Sequence, residues 1–562
     1  MKKPWIIAAG AGLVTGLLYL PILRNGFVTW DDGIYVFNNP WLRSLDLNLL
    51  RFAVGFQTPN WHPLTWIVHA LEYAFWGLNP AGHHATSILL HTLNTVLLFF
   101  VVLKLLAARD RAFSPDTVAR PAGDSSFHLT VAGATSLLFG IHPAHVESVA
   151  WASGKKDLLC TFFVLVTVYA YARYVRRERT NTGAGHRGMA DAWYLASVGS
   201  FLLALLSKPS AVTFPLILLM LDVYPFERLQ AGLGKVRLII MEKIPFVMLS
   251  FAAAAITYYA HHILGDITSV GSVGITTRLL VSAKAAVFYL VHLLWPVGLL
   301  PLYPYPEKTG IMMPSYLFSV MALALISLSC AFLWKKRKLP MAIWLYFLIS
   351  LIPVIGLVKM GFQEMADRYA YLPGIGPILL FAVGLSAMLR KTASTGGSPV
   401  RFAGIAAGGL LVLFLSLLTV RQAGIWKDDL TLWNYEIKTD PQLSWLAYQN
   451  RGVAYSKMER FDAALDDYIQ ALAMNPRSPE LYYNRANIYA RMGRFSEAAV
   501  DYATAISLAE SPHPDYFHNR GIVYRKLGRQ AEAEVDLREE ERLRRTAVMQ
   551  EGIMKTNSSE SE

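Results

Sequence analysis

Between residues 5 and 420 the chain repeats one pattern: an apolar stretch of membrane-crossing length, then a short loop that holds nearly all the local charge. Crossing the hydrocarbon core takes roughly 20 apolar residues wound as a helix, because lipid offers the backbone no hydrogen-bond partners. Spans are expected near 5–23, 84–106, 128–141, 158–175, 192–207, 210–225, 244–262, 315–334, 340–358, 371–389 and 402–420. Hydrophobic residues make up 54% of the chain and charged residues only 16%, against about a quarter charged in soluble domains. An all-α, polytopic membrane fold of about eleven helices follows.

One further stretch, 279–300, is apolar enough to be a twelfth span. If it crossed, the run Lys335-Lys336-Arg337-Lys338 and the loop holding Arg390, Lys391 and Arg401 would face outward, against the positive-inside bias. Reading it as a re-entrant or interfacial helix brings every basic loop inside; its aromatic residues and Pro296 and Pro301 suit that placement. The N-terminus is then cytoplasmic and the C-terminus outside. No clear cleavage site precedes Arg24, so the first apolar stretch is expected to stay as a span. The net charge of +12 is spent on these topology signals, and no basic helix or aromatic-basic ladder suggests nucleic acid. Cys160 and Cys330 lie within apolar stretches, so no disulfide framework is expected.

Past residue 420 the charge density rises, and a period appears. Asn450, Asn484 and Asn519 recur at spacings of 34 and 35, followed by Gly452, Ala486 and Gly521, then Tyr455, Tyr489 and Tyr524. Small and aromatic residues on a 34-residue period are the mark of tetratricopeptide repeats, helix-turn-helix units that bury their apolar faces only against neighbours. The expected organisation is a membrane domain over 1–420, a linker over 421–443, about three repeats over 444–546 forming an α-solenoid, and a disordered tail over 547–562. A ladder of Asn450, Asn484 and Asn519 amides can hold the backbone of an extended peptide whatever its sequence. Alternatively, these side chains are solvated or bridge neighbouring repeats.

On the expected topology four segments deliver polar groups to one face. Asp31-Asp32 follows the first span; an acidic pair there suits a general base with a partner for the acceptor or a metal, or a helix cap. His142, His145 and Glu147 are close enough in sequence to ligate a divalent ion, to bind phosphate or to hold a loop. Lys208 and Arg368 end predicted spans; they either grip a lipid-linked phosphate or snorkel to headgroups. His62, Glu72, His83, His84 and His91 add polar groups whose roles the sequence does not separate. There is no P-loop, no GxGxxG after a strand, no HExxH and no GxSxG. Outer-face chemistry must then draw on an activated substrate already present there, and a lipid-phosphate sugar fits.

Taken in order, Trp30-Asp31-Asp32 with Asn39-Pro40, Trp61-His62-Pro63-Leu64-Thr65, His142-Pro143-Ala144-His145-Val146-Glu147, Gly154-Lys155-Lys156-Asp157-Leu158-Leu159, Ser207-Lys208-Pro209 and Ala366-Asp367-Arg368-Tyr369-Ala370-Tyr371-Leu372-Pro373 run through essentially the whole chain. Together with the repeats they resemble the transmembrane and tetratricopeptide-repeat-containing O-mannosyltransferases of the C-type glycosyltransferase superfamily. The resemblance implies an eleven-span C-type fold and a polyprenyl-phosphate sugar donor. It also implies transfer of mannose or a similar hexose, with inversion, to Ser or Thr hydroxyls of exported proteins, which the repeats would help to bind. On the same footing Asp31 is the base and Asp32 its partner, Arg368 and Lys208 bind donor phosphate, and His142, His145, Glu147 and His62 shape the acceptor side or hold a metal. A divalent ion is the one cofactor this reading allows for, and none is required by it. Asp367 stands where the family carries Glu, and the short array and loops point to a bacterial inner-membrane member. A lipid or glycan acceptor, or a non-catalytic membrane-anchored repeat scaffold, are the competing readings.

Overall fold

A computed structural model of the protein describes residues 2–58, 60–113, 123–180, 188–230, 233–263, 274–306, 309–357, 363–395, 398–440 and 445–559. It divides into two units, Met1–Asp428 and Asp429–Glu562.

The first unit is helical. In chain order its helices are α1 (Lys2–Tyr19), α2 (Leu47–Val54), α3 (Pro63–Trp76), α4 (Pro80–Phe113), α5 (Gly123–Gly140), α6 (Val146–Ala150), α7 (Lys155–Thr180) and α8 (Ala192–Ser207). They continue with α9 (Phe214–Val223), α10 (Leu233–Ile263), α11 (Ile275–Leu294), α12 (Pro314–Leu333), α13 (Lys338–Leu351), α14 (Ile375–Thr395) and α15 (Ser398–Ile425). An apolar helix stands at each of the eleven positions read as spans. Among the described residues seven helices are long and apolar enough to cross a membrane, and three more apolar helices are shorter. Ile275–Leu294, expected at the interface, is one of the seven: a single helix that ends before Trp295.

Burial ranks these helices. In α7, with the turn before it, 72% of the apolar window is buried inside the unit, against 11% in α15, so α7 lies at the centre and α15 at the lipid-facing margin. α7 packs on α8 and α4, and α1, α4, α5 and α14 close the bundle around it. Small residues permit the closest crossing: a Cβ on Gly140 would collide with the Thr15 side chain of α1.

Local chemistry sets the loops. Asp46 accepts from the Asn48 and Leu49 amides and starts α2, and Pro63 occupies the first turn of α3, where an amide would go unpaired anyway. A two-strand bridge, β1 (Tyr303–Pro304) antiparallel to β2 (Gln363–Met365), anchors the turn that carries Arg368. Far along α7 lies a second polar cluster, in which acids and bases pair. Arg228 donates to Glu242 and Asp222, Lys243 pairs with Asp222, and Tyr171 donates to Asp222. From Lys155 to Tyr171 the helix rises about 24 Å, so this network pins the opposite end of the bundle from the candidate site.

The second unit opens with α16 (Asp429–Thr439) and then stacks three helix pairs: α17 (Trp445–Lys457) with α18 (Phe461–Met474), α19 (Pro479–Arg491) with α20 (Phe495–Leu508), and α21 (Pro514–Lys526) with α22 (Gln530–Ser559). The stretch 421–443 expected as a linker thus holds the end of α15 and all of α16, whose Leu432 and Trp433 are fully buried. The expected tail overlaps α22 up to Ser559 and lies outside the described residues beyond it. Each pair is closed by a device the Asn period did not reveal. Arg451, Arg485 and Arg520 make two-pronged bonds to Asp467, Asp501 and Asp536, always 16 residues on. Each guanidinium also lies over two aromatic rings, as Arg485 does over Tyr482 and Tyr489. Arg485→Leu leaves Asp501 buried without its partner and is expected to destabilise that repeat by about 2 kcal/mol. Hydrogen exchange should then accelerate across α19 and α20 first; unchanged protection there would remove the clamp from the account.

Candidate functional site

From Leu138 through Thr161 every residue is buried, although the segment breaks from α5 through short turns and α6 into α7. Such irregular backbone needs internal partners, and the segment holds nine buried polar side chains: His142, His145, Glu147, Ser148, Ser153, Lys155, Lys156, Asp157 and Thr161. The turn is tight enough to require glycine at 154, where a Cβ would come within 3.0 Å of both the Glu147 and Ser148 carbonyls.

The acidic pair divides its labour. Asp32 is buried and accepts from the Val28 amide at 3.0 Å, the Ser153 amide at 3.0 Å and the Ser153 hydroxyl at 2.5 Å. It staples the first loop to the start of α7. Asp31 next to it turns outward, its side chain 36% exposed and its Oδ2 4.0 Å from Lys156 Nζ. Of the two, only Asp31 leaves its carboxylate accessible.

Burial pushes the Asp32 carboxyl up from 3.8 to about 6, against the opposing pull of its three hydrogen bonds. Because the folded value is raised, the contribution to stability is full below about pH 4 and is lost as pH rises through about 6, up to about 3 kcal/mol in all. Asp32→Asn pays a fixed cost for the lost Val28 bond but removes this slope. Melting curves from pH 4 to 7.5 should therefore run flatter for the variant than for the wild type, and parallel curves would contradict this.

Three cations from separate elements line up beside Asp31 across two aromatic rings. Lys156 Nζ lies 5.1 Å and the Arg368 guanidinium 5.2 Å from the Trp151 ring centre. Arg368 and Lys208 in turn lie 5.0 and 5.1 Å from the Tyr369 ring. Each cation has a fixed neighbour. Lys156 donates to Tyr35 at 3.3 Å, Lys208 meets Asp157 at 2.5 Å, and Arg368 bonds Glu147 and Gln363. Glu147 also accepts from the Arg368 backbone amide at 2.7 Å, so its carboxylate clasps that residue at two points.

His142, His145 and Glu147, which the sequence offered as metal ligands, do not form a common ligand set. His142 bonds the Leu293 carbonyl and the Ala144 amide, and His145 Nδ1 bonds the Phe139 carbonyl. Burial keeps both imidazoles neutral, pushing His142 down to about 4 and His145 well below the ordinary imidazole value. Glu147 is committed to Arg368. His62 stacks on Tyr35 and Trp66 at 5.4 and 5.0 Å, buried and neutral, as part of the loop's packing. The sequence reading gave no role to Trp151, Ser153, Lys156, Asp157 or Tyr369; Lys156, Asp157 and Tyr369 were marked only by membership of the Gly154-Lys155-Lys156-Asp157 and Asp367-Arg368-Tyr369 runs, and Trp151 and Ser153 by nothing.

In the second unit the three-amide ladder is only partly present. Asn484 lines a groove of about 690 Å³ with Gln449, Tyr483 and Tyr516. Asn519, however, donates to Tyr483 and Asn487 at 2.9 and 3.0 Å and bridges two repeats instead. Asn450 Nδ2 is buried, with no hydrogen-bond partner among the described residues.

Models of the TPR repeat and the tetratricopeptide repeat match residues 452–493 and 479–512. Across both units the chain aligns with Protein O-mannosyl-transferase TMTC1 of Homo sapiens at 24% identity, covering 84% of this chain and 55% of that one. Protein O-mannosyl-transferase TMTC4 of Homo sapiens is 25% identical over 74% of this chain and 60% of its own. Drosophila melanogaster Tmtc1 reaches 31% over 38% of this chain and 22% of its own. The chain is a homologue of the protein O-mannosyl-transferases. This homologue spans under two thirds of each of these relatives' length.

Proposed function

We propose that this O-mannosyl-transferase homologue is a membrane glycosyltransferase that moves a hexose, mannose by analogy with its relatives' name, from a polyprenyl-phosphate donor to Ser or Thr hydroxyls of exported proteins. The observation that carries the reading is the row Asp31, Lys156, Arg368, Lys208: one outward carboxylate beside three cations spaced by Trp151 and Tyr369. Asp31 accepts the acceptor hydroxyl's proton as that oxygen attacks the anomeric carbon. The bond from that carbon to phosphate breaks on the opposite face, and the phosphate leaves with the electron pair. The charge gathering on the phosphate meets Lys156, Arg368 and Lys208, groups already oriented by their partners. A single displacement inverts the anomeric centre.

Two further features support a lipid-linked donor and a protein acceptor. An apolar cleft of about 120 Å³ runs between α4, α7, α9, α13 and α14 and reaches Leu372, four residues from Arg368; it suits a hydrocarbon chain. The groove beside Asn484 suits an extended peptide. This assignment places the site and the repeats on the outer face of the membrane, which for a bacterial chain is the periplasmic side. The test supplies purified protein in lipid with a panel of short-chain polyprenyl-phosphate sugars and peptides of secreted proteins. Glycosylated peptide supports the proposal; donor hydrolysis without peptide modification would move the acceptor to lipid or glycan.

A further inference from the structure

Behind the site loop lies a buried cluster that the proposed reaction does not use. His69 and Glu72 stand one turn apart on α3, His83 opens α4, and Lys155 begins α7. Ligand-capable atoms of His69, Glu72 and His83 lie within 4.8 Å of one another.

Proton accounting leaves this cluster short of positive charge. His83 Nε2 lies 3.0 Å from the Gly77 carbonyl and must donate to it, so a neutral ring carries no proton on Nδ1. That Nδ1 lone pair faces Glu72 Oε2 at 3.2 Å, acceptor against acceptor. His69 Nδ1 sits 3.2 Å from the same oxygen without hydrogen-bond geometry, and among the described residues neither nitrogen of this fully enclosed ring finds a hydrogen-bond partner. Lys155 pairs with the other oxygen, Oε1, and so does not lie between these atoms. A cation among His69, His83 and Oε2 relieves this conflict directly.

We infer that His69, Glu72 and His83 bind one divalent transition-metal ion of the zinc class. Two imidazoles and a carboxylate are a zinc donor set, and donors held tetrahedrally at ~2.0–2.1 Å lie about 3.3 Å from each other. The two nitrogen-to-Oε2 separations of 3.2 Å already match that edge, and rotation of the otherwise unbonded His69 ring closes the remaining gap. The surroundings are those of an oriented ligand set: His83 is fixed by the Gly77 carbonyl, and Lys155 holds the free oxygen of Glu72. The His69 ring packs edge-on against Tyr35 at 5.8 Å and His83 against Phe27 at 5.3 Å. Both aromatic residues belong to the loop that carries Asp31, so the ion positions that loop and does not touch substrate.

The test is metal analysis and melting of the full-length protein in detergent, neither of which depends on sugar transfer. Wild type purified without chelator should retain about one equivalent of zinc. Chelation should lower Tm, and ZnCl₂ should restore it. Glu72→Gln and His69→Ala should lose the retained zinc and the Tm response together, while Lys155→Met should keep both. Folded wild type that neither retains zinc nor responds to ZnCl₂ would overturn the site and leave Lys155 as the cluster's cation. Zinc retained equally by wild type and both ligand variants would overturn it too, by locating the ion elsewhere.

Discussion

Asp31→Asn is expected to lower sugar transfer by about 10²–10⁴-fold, the contribution typical of a positioned general base. The amide keeps the side chain's size and its hydrogen-bonding oxygen but cannot take up the acceptor proton. Because Asp31 is partly exposed and its ion pair with Lys156 is long, at 4.0 Å, the melting temperature should barely move; exposed pairs of this kind contribute about 0–1 kcal/mol. Donor binding should also survive, since Arg368 and Lys208 are untouched. Transfer assays with wild type, Asp31→Asn and Asp32→Asn separate the roles. Loss of rate at unchanged stability in the first, and loss of stability in the second, is the expected pattern. Full transfer by folded Asp31→Asn would remove Asp31 from the chemistry, and an inactive wild type with competent donor binding would favour the scaffold reading.

Glu147→Ala is expected to have the largest effect on stability, about 3–5 kcal/mol. Glu147 clasps Arg368 through both its backbone amide and its guanidinium, and both residues are buried. Removing the carboxylate leaves a guanidinium that cannot shed its proton and a backbone amide without its acceptor. Arg368→Met alone should also cost several kcal/mol, by stranding the carboxylate. The double variant Glu147→Met with Arg368→Met should recover part of the loss, because it removes both charges and refills the space with apolar volume. Chemical denaturation of the three proteins in detergent measures this coupling. Strictly additive losses would mean that the two residues do not act as a pair. Transfer should vanish in the double variant even where stability returns, if Arg368 holds the donor.

The positions of the apolar helices, the 34-residue period and the candidate acidic pair were all legible in the sequence, because each follows from local rules. A chain that crosses lipid must bond its backbone groups internally over some 20 apolar residues, and a repeat betrays itself by its own spacing. What could not be read was which polar groups are committed to the fold. His142 and His145 looked like ligands because imidazoles near a carboxylate often are. In the folded chain their nitrogens meet the carbonyls of Leu293 and Phe139, the first of them 151 residues away. Asn519 looked equivalent to Asn484, yet its amide bridges to Tyr483 and Asn487.

The sequence by itself determined the class of the protein: apolar stretches that lipid would force into helices, followed by repeats that must stack to bury their faces. Only the tertiary structure gave Asp31 and Asp32 different surroundings. Adjacent residues of one type share the same local propensities; what distinguishes them is Ser153, 121 residues beyond Asp32, whose amide and hydroxyl draw one carboxylate inward and leave the other facing out. The row of cations was settled in the same way, since Lys156, Lys208 and Arg368 become neighbours only where Trp151 and Tyr369 bring three distant segments together.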